Sequence, residues 1–390
     1  MKRLWVVFVA LASILAGGAS RIVQDQCGPF TDVTPGFCPF ILEIYYLGIT
    51  VGTSPTTFSP DDPLTRGQGA VFIAKGVNQT LARSSSRAAL GQWWTSTPHY
   101  DLGLGVTTLT PTTRQVVSDG VDLWVVAGAS VVHRVRASDG RLLETWTGAT
   151  GAYGIVSAMG RVFVTGGSLA ARQGTTQSLL YMIDPGQPAG PVTTVAVTDS
   201  ASNPTAIAFD GSRFWLPRLS DGSIAIVTPG PTLPWSVTNI TNGFNLPIGI
   251  LFDGSNVWVA DVGAGDILKL DADGSILQAV HTGAMQFIGF DGANIWVPGP
   301  TSVTVVSAAT GSILATLTGN GIDGGNSVAF DGQRVMVMSP NADTVSLWNA
   351  ADFTPLGFFS TGSISLPYFA CSDGLNFWIS LGGTGQLARF

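Results

Sequence analysis

The chain has 390 residues, of which 49 are glycine and only 11% are charged. Its formal net charge is −7 and it contains three lysines. This balance argues against a nucleic-acid partner, because phosphate binding needs clustered basic side chains. Abundant β-branched and aromatic residues between glycine, aspartate and asparagine turns predict an all-β protein.

Residues 1–19 have the pattern of an export signal. Lys2 and Arg3 precede the apolar segment 4–16, and small residues allow cleavage after Ala19. An uncleaved membrane anchor is the alternative, which the short apolar segment disfavours. Later in the chain no apolar run approaches the ~20 residues of a membrane helix, so we expect no transmembrane span after cleavage. The mature protein is expected to be secreted and located at the cell envelope or surface.

Two cysteines lie close together near the new N-terminus. Cys27 and Cys38 flank one tight segment of a small module, and disulfides persist outside the cytoplasm, so we expect them to form a disulfide. Cys371 stands alone in the last repeat and is interpreted as a small buried hydrophobe rather than a nucleophile.

Residues 28–81 predict a small helical module. Apolar residues from Phe40 to Leu47 fall at helical spacing, and a second apolar-faced helix is expected from about Thr65, which is well placed as its N-cap.

Four pieces of this module occur in a specific order: "FTDV" (30–33), "LGITVG" (47–52), "FSPDDPLTR" (58–66) and "AVFIAKGV" (70–77). Together they resemble a single S-layer homology (SLH) motif. Such motifs attach exported proteins to cell-wall or envelope polysaccharide, which the resemblance therefore implies as a partner. It also implies that Thr65 and Arg66 lie nearest the glycan pocket and that Asp32 supports the turn. A guanidinium suits a carboxylate-bearing sugar, since it donates two parallel hydrogen bonds.

The module departs from the family pattern in two ways. "TRGQ" stands where the family usually has "TRAE", and one copy is visible where three commonly cooperate. A structural capping module that binds nothing is therefore the alternative. Residues 82–101 are interpreted as a linker that docks on the main body, because its two tryptophans would be costly to leave in water.

The rest of the chain, residues 102–390, repeats. The phrase "FDGSNVWVA" at 252–260 recurs in seven copies, at a period near 40 residues. Their turn glycines are Gly120, Gly160, Gly211, Gly254, Gly292, Gly332 and Gly374. Each full copy holds four short apolar runs separated by tight turns, which predicts a seven-bladed β-propeller. The runs "PIGILFDGSNVWVADVGAGDILKLDADG" and "NPTAIAFDGSRFWLP" resemble the NHL/YVTN class of propellers, a superfamily that includes virginiamycin B lyase-like proteins.

A large residue in the second strand of every copy is expected to pack against the next blade. These residues are Trp124, Phe163, Trp215, Trp258, Trp296, Met336 and Trp378. The last copy contains only three strands, and the apolar run 102–110 is left over upstream. We expect this run to pair with 385–390 and to close the ring, since an unpaired edge would invite aggregation.

The residues just before the innermost strands are expected to ring one mouth of the central channel. They are Arg114, Tyr153, Asn203, Asn245, Gln286, Asn326 and Tyr368. This polar and aromatic rim would suit a glycan or peptide ligand. A solvated rim without a ligand is the alternative.

No catalytic residues, metal site or cofactor can be assigned. The three histidines, His99, His133 and His281, neither recur nor pair at ligand spacing, and the lyase-like relatives' metal ligands have no counterpart here. The recurrent aspartates are expected to bond the backbone of hairpin turns.

The sequence therefore predicts a mainly β protein, with a seven-bladed β-propeller and a small N-terminal helical SLH-like module. Its expected role is that of an exported envelope protein whose propeller binds or scaffolds. The alternatives are a lyase- or lactonase-like enzyme at the channel mouth and a purely structural envelope component.

Overall fold

The computed structural model describes residues 27, 29–34, 37–46, 49–73, 75–76, 106–109, 112–128, 130–137, 140–167, 177–198, 204–284 and 286–390. The signal peptide expected at 1–19 and the linker expected at 82–101 lie outside these residues. The chain divides into two compact units, Met1–Lys75 and Gly76–Phe390. In the described part, no helix has the length and apolar character needed to span a membrane.

The first unit is built around one aromatic side chain. Phe30 is buried and meets the rings of Tyr45 and Phe58 at centroid distances of 5.2 and 5.7 Å. Helix α1 (Cys38–Tyr46) supplies Tyr45, and residues 66–73 are also helical. A disulfide joins Cys27 to Cys38, whose Cα atoms are 5.3 Å apart. Because few of the unit's described residues are buried, this covalent link is a large part of what holds them together.

The second unit is a seven-bladed β-propeller of four-stranded antiparallel sheets. Strand β1 (Val106–Thr108) comes first in the chain. Blade 1 comprises β2 (Thr113–Ser118), β3 (Asp122–Ala127), β4 (Val131–Arg136) and β5 (Leu142–Thr147). Blade 2 comprises β6 (Ile155–Ala158), β7 (Arg161–Gly167), β8 (Ser178–Ile183) and β9 (Thr193–Thr198). Blade 3 comprises β10 (Ala208–Phe209), β11 (Phe214–Arg218), β12 (Ser223–Thr228) and β13 (Ser236–Ile240).

The remaining blades follow the same order from the channel outward. Blade 4 comprises β14 (Pro247–Phe252), β15 (Val257–Asp261), β16 (Asp266–Leu270) and β17 (Ile276–His281). Blade 5 comprises β18 (Gly289–Phe290), β19 (Asn294–Pro298), β20 (Ser302–Ser307) and β21 (Ile313–Thr318). Blade 6 comprises β22 (Ser327–Phe330), β23 (Arg334–Ser339), β24 (Thr344–Asn349) and β25 (Pro355–Ser360). Blade 7 comprises β26 (Pro367–Ser372), β27 (Phe377–Leu381) and β28 (Gln386–Arg389), with β1 as its outermost strand.

Strand β1 closes the ring. It runs antiparallel to β28, with Val106 opposite Ala388 and Thr108 opposite Gln386. The Thr107 hydroxyl donates a hydrogen bond to the Gly140 carbonyl oxygen in blade 1. The apolar run upstream of blade 1 therefore supplies the outermost strand of blade 7, and it also contacts blade 1.

Each large residue of the second strands packs into the neighbouring blade. Trp215, for example, is fully buried in one cluster with Val257, Leu268 and Leu270 of blade 4. Corresponding clusters surround the other six, Trp124, Phe163, Trp258, Trp296, Met336 and Trp378. The apolar core therefore lies between blades, and no blade buries its own large side chain alone.

The turn aspartates have a second role beside the expected one. In blade 4 the Oδ1 atom of Asp253 accepts hydrogen bonds from the backbone N–H groups of Ser255 and Asn256. Its Oδ2 atom accepts a bond of 2.7 Å from the indole Nε1 of Trp258. The same indole–carboxylate bond recurs in blades 1, 3, 5 and 7. The turn and the inter-blade tryptophan are thus fixed by one carboxylate.

Candidate functional site

In the first unit, Asp32 supports the loop that leads to the second helical segment. Its carboxylate accepts hydrogen bonds from the backbone N–H groups of Phe58, at 2.8 Å, and Ser59, at 2.7 Å. The bond from the Phe58 N–H is the main reason that the pKa of Asp32 lies below its ordinary value. The Asp32 carboxylate therefore binds backbone groups of its own chain.

Thr65 and Arg66 stand together at the start of helical residues 66–73. The Gln68 side-chain oxygen accepts a bond of 2.8 Å from the Thr65 N–H, and the Thr65 hydroxyl oxygen accepts the Gln68 N–H at 3.2 Å. This reciprocal pair is a capping box, in which glutamine serves as well as glutamate. The departure "TRGQ" is thus compatible with the local fold, and Arg66 is left exposed on a fixed backbone.

In the second unit, three inner strands are irregular near their first residues. The ladder register shifts between Thr113 and Val116 in blade 1, between Pro247 and Gly249 in blade 4, and between Pro367 and Phe369 in blade 7. The side chains re-aimed by these irregularities are Arg114 with Gln115, Ile248 and Tyr368. At these positions the side chains depart from the regular alternation between the two faces of the sheet.

Three aromatic rings from separate blades meet across the channel. Tyr153 of blade 2 stacks on Phe287 of blade 5 at 6.3 Å and meets Phe369 of blade 7 edge-on at 6.2 Å. Phe287 and Phe369 are themselves 4.8 Å apart. We call these three rings the channel plug. Sequence reasoning missed Phe287 and Phe369, which directly follow the expected rim residues Gln286 and Tyr368.

Arg114 covers the outer ring of the channel plug. Its guanidinium carbon lies 4.5 Å from the centroid of the Tyr153 ring, a cation–π distance. Burial raises the pKa of Tyr153, and the charge of Arg114 with a hydrogen bond from its guanidinium opposes that rise. Tyr368 lies beside the residue that precedes Arg114, since a Cβ on Gly382 would be 2.6 Å from the Tyr368 ring and 3.2 Å from the Thr113 carbonyl oxygen. We call Arg114, Tyr153 and Tyr368 the rim group.

The other expected rim residues have different environments. Asn203 lies outside the described residues. Asn245 is exposed in the loop before β14 and lies against Gly263, whose N–H donates to the Asn245 carbonyl oxygen at 2.8 Å. Asn326 is buried and its amide donates to the Tyr368 carbonyl oxygen at 2.7 Å. Gln286 is half-buried beside the channel plug.

A cavity of about 150 Å³ lies in the channel next to the plug. Residues from six blades line it, including Gln115, Ile250, Phe287 and Phe369. Gln115 crosses between blades, since its amide donates to the Thr205 carbonyl oxygen and accepts the Ile155 N–H, both at 3.1 Å. Gln115 therefore ties the blade 1 side of this cavity to blades 2 and 3.

Two loops at the same end of the inner strands have unusual backbone geometry. Leu246, Ile364 and Leu366 have φ angles of +62°, +59° and +47°. Left-handed backbone is rare for such side chains, and for a β-branched isoleucine it is an outlier. The Asp343 carboxylate holds the second loop by accepting the N–H groups of Ile364, at 2.7 Å, and Leu366, at 2.8 Å. Ile364 is nevertheless 71% exposed.

Each described histidine contacts one polar side chain. The His133 ring contacts the Thr145 hydroxyl at 3.0 Å, and the largely exposed His281 contacts Asp266 at 2.8 Å. His99 lies outside the described residues. Within the described ranges, no three histidine, cysteine or acidic side chains come together in a way that could hold a metal ion.

Asp261 gives the mouth loop of blade 4 a testable pH dependence. Its carboxylate is buried and accepts only the Asn245 N–H, at 2.7 Å, among the described residues. Burial is the main reason that its pKa is raised to about 6. Its contribution to the free energy of unfolding is therefore present below about pH 4 and is lost as the pH rises through 6.

We expect Asp261→Asn to remove this loss. Relative to wild type, the variant should gain roughly 1–2 kcal/mol between pH 4 and pH 8, because solvent screening reduces the full value of about 1.4 kcal/mol per pKa unit. Chemical denaturation at both pH values measures the gain. Asp323→Asn, at an exposed position, controls for the change in net charge. Equal pH profiles for wild type and Asp261→Asn would contradict the assignment.

The two units resemble different known proteins. Residues 29–70 match the family model of the S-layer homology domain. Residues 29–70 are an S-layer homology domain. An endoglucanase of Bacillus sp. (strain KSM-635) is 35% identical over 65 residues, which cover 16% of this chain and 7% of that relative. The chain thus spans less than a tenth of the relative's length, and its activity does not transfer.

Solved structures resemble the propeller. They include a streptogramin B lyase with a TM-score of 0.59 and 15% identity, which covers 73% of this chain and 96% of its own. Virginiamycin B lyase from Staphylococcus aureus has a TM-score of 0.59 and 14% identity, with coverage of 73% and 98%. At such identities the likeness shows the fold alone. The SLH domain indicates a cell-surface or envelope-associated protein, and Asp32, Thr65 and Arg66 all fall inside it.

Proposed function

We propose that the SLH domain tethers this exported protein to wall or envelope polysaccharide and that the propeller presents a binding surface there. The observation that supports the tether most directly is the exposed pair Thr65–Arg66 on a capped helix start inside the SLH domain. No other described feature of the first unit combines a planar cation with so fixed a backbone.

Arg66 is the residue best suited to hold an acidic glycan. Its guanidinium is exposed and can donate two parallel hydrogen bonds to a carboxylate. The capping box fixes the backbone of the preceding residue, so less conformational freedom is lost on binding than on a loop. Asp32 contributes indirectly, because it orders the loop that leads to this helix.

The propeller supplies a rigid scaffold for a second contact. Its inner strands approach so closely that a Cβ on Gly249 would lie 2.6 Å from the Gln286 carbonyl oxygen. A ring packed in this way keeps its mouth residues in place, which favours binding through loops and side chains at that face. The rim group of Arg114, Tyr153 and Tyr368 is the part of this face that supports a ligand site.

Sedimentation of the full chain with purified wall material tests the tether. Arg66→Ala should lower the apparent affinity at least about tenfold, because a hydrogen bond to a charged group contributes about 1.5–3 kcal/mol. Lys75→Ala removes the same charge from another exposed position of the first unit and should bind like wild type. Undiminished sedimentation of a folded Arg66→Ala protein would show that the assignment is wrong.

A further inference from the structure

One arginine of the propeller differs from its neighbours in its partners. Arg134, Arg161, Arg213 and Arg334 each lie within 4.0 Å of a carboxylate oxygen. Among the described residues Arg114 has no such partner, and its guanidinium instead covers the Tyr153 ring. A guanidinium without a carboxylate partner keeps N–H donors available for an external anion.

The surroundings of Arg114 restrict the ring that it covers. Tyr153 packs against both Phe287 and Phe369, which limits the movement of its ring. The guanidinium lies 4.5 Å from the centre of that ring, where no carboxylate of the described residues pairs with it. A guanidinium is a planar fork that can donate two parallel hydrogen bonds, so it suits a planar carboxylate better than a point charge.

The second wall of the site is aromatic and polar. Tyr368 is 36% exposed, and a Cβ on Gly382 would lie 2.6 Å from its ring, so glycine makes room for the tyrosine. Its main-chain carbonyl oxygen accepts bonds from both Asn326 and Ser327, which fixes the backbone of this residue. A tyrosine held in this way offers an apolar face and a hydroxyl group, both of which suit a sugar ring.

Left-handed loop residues add apolar surface beside Tyr368. Ile364 and Leu366 precede it in the chain and keep unfavourable φ angles because Asp343 binds their N–H groups. Such strain persists where the surrounding structure imposes it, and it concentrates at ligand-binding sites. The loop exposes Ile364 next to the tyrosine instead of burying it.

We propose that Arg114, Tyr153 and Tyr368 bind a carboxylate-bearing sugar residue, such as a hexuronate, at the channel mouth. This inference rests on the proposed function, because the SLH tether would bring the mouth to an acidic polysaccharide. Arg114 takes the carboxylate, Tyr153 fixes Arg114, and Tyr368 covers one face of the sugar ring.

Calorimetric titration with soluble oligosaccharides tests the site without wall material. The Arg66→Ala protein serves as the background, so that binding by the SLH domain does not contribute. Trigalacturonate should bind it, and the added Arg114→Gln change should weaken that binding at least tenfold. Arg114→Lys keeps the charge but loses the planar fork, so its affinity for trigalacturonate should lie between that of the background protein and that of the Arg114→Gln variant. Neutral galactotriose should bind at least tenfold more weakly than trigalacturonate, with no effect of Arg114→Gln.

The controls separate the possible failures. Equal melting temperatures of the Arg114 variants and their parent show that the fold is intact, and Arg114→Lys remains informative if Arg114→Gln does not fold. Absence of trigalacturonate binding, or binding unchanged in both Arg114 variants, would overturn the proposal. Equal binding of a triglutamate peptide would overturn the assignment to a sugar. None of these outcomes depends on the sedimentation of Arg66→Ala with wall material. The proposal for the SLH tether and the proposal for the channel mouth are therefore tested independently.

Discussion

Replacing residues 106–109 by Gly-Ser-Gly-Ser should lower the melting temperature by roughly 5–10 °C, the largest stability change expected for this protein. The replacement removes Val106 from its contact with the blade 6–blade 7 core and Leu109 from the core between blades 7 and 1. It also removes the Leu109 N–H bond to the Gly385 carbonyl oxygen, at 2.9 Å. Losing these two half-buried apolar side chains costs about 2–3 kcal/mol, and the lost ladder hydrogen bonds with β28 add to this cost.

The matched control makes the same replacement in an exposed loop. Residues 230–233, between β12 and β13, are all exposed, and their replacement should change the melting temperature by less than about 2 °C. Differential scanning calorimetry measures both variants. Equal melting temperatures for the two would refute the view that β1 completes the ring.

Trp258→Ala should cost about 3–5 kcal/mol in the free energy of unfolding, the typical loss for a buried tryptophan. The side chain is fully buried, packs against blade 5, and donates to Asp253 at 2.7 Å. Trp258→Phe keeps a large ring but leaves that carboxylate oxygen without its donor. We expect an intermediate loss of about 1–3 kcal/mol from this variant.

A second tryptophan provides the control for the hydrogen bond. Trp348 is also buried, but its Nε1 has no hydrogen-bond partner among the described residues. Trp348→Phe should therefore cost less than Trp258→Phe, because it removes an unsatisfied donor rather than a bonded one. Urea denaturation measures both. An equal cost would mean that ring size, and not the bond to the turn aspartate, explains the recurrence of tryptophan.

The number of blades could be predicted from the sequence because its signals are local. Turn glycines such as Gly254, with φ at +96°, and the apolar runs on either side recur within each copy. The packing of Trp215 or Trp378 on the next blade also follows from a position repeated in every copy. These features depend on backbone geometry and burial within about forty residues. That length is one repeat, so the repeated sequence shows them directly.

The mouth could not be predicted with the same accuracy. In blade 4 the strand register shifts between Pro247 and Gly249, and no residue type in the sequence marks that shift. The channel plug joins Tyr153 to Phe369, more than two hundred positions away, and nothing in a single copy indicates that contact. The sequence shows recurrent aspartates and tryptophans but not the hydrogen bonds between them. Each residue type already had an explanation, the aspartate in its turn and the tryptophan in the core, so nothing indicated that the two are bonded.

Strand β1 also makes the closed ring sensitive to sequence order. The outermost strand of blade 7 comes from residues 106–108, whereas the other three strands of that blade end at Arg389. A circular permutation that joined β1 directly after β28 would keep the same pairing but turn this contact between distant segments into a local hairpin. The ring would then close through a neighbouring segment, so we expect such a permutant to fold faster than the natural order.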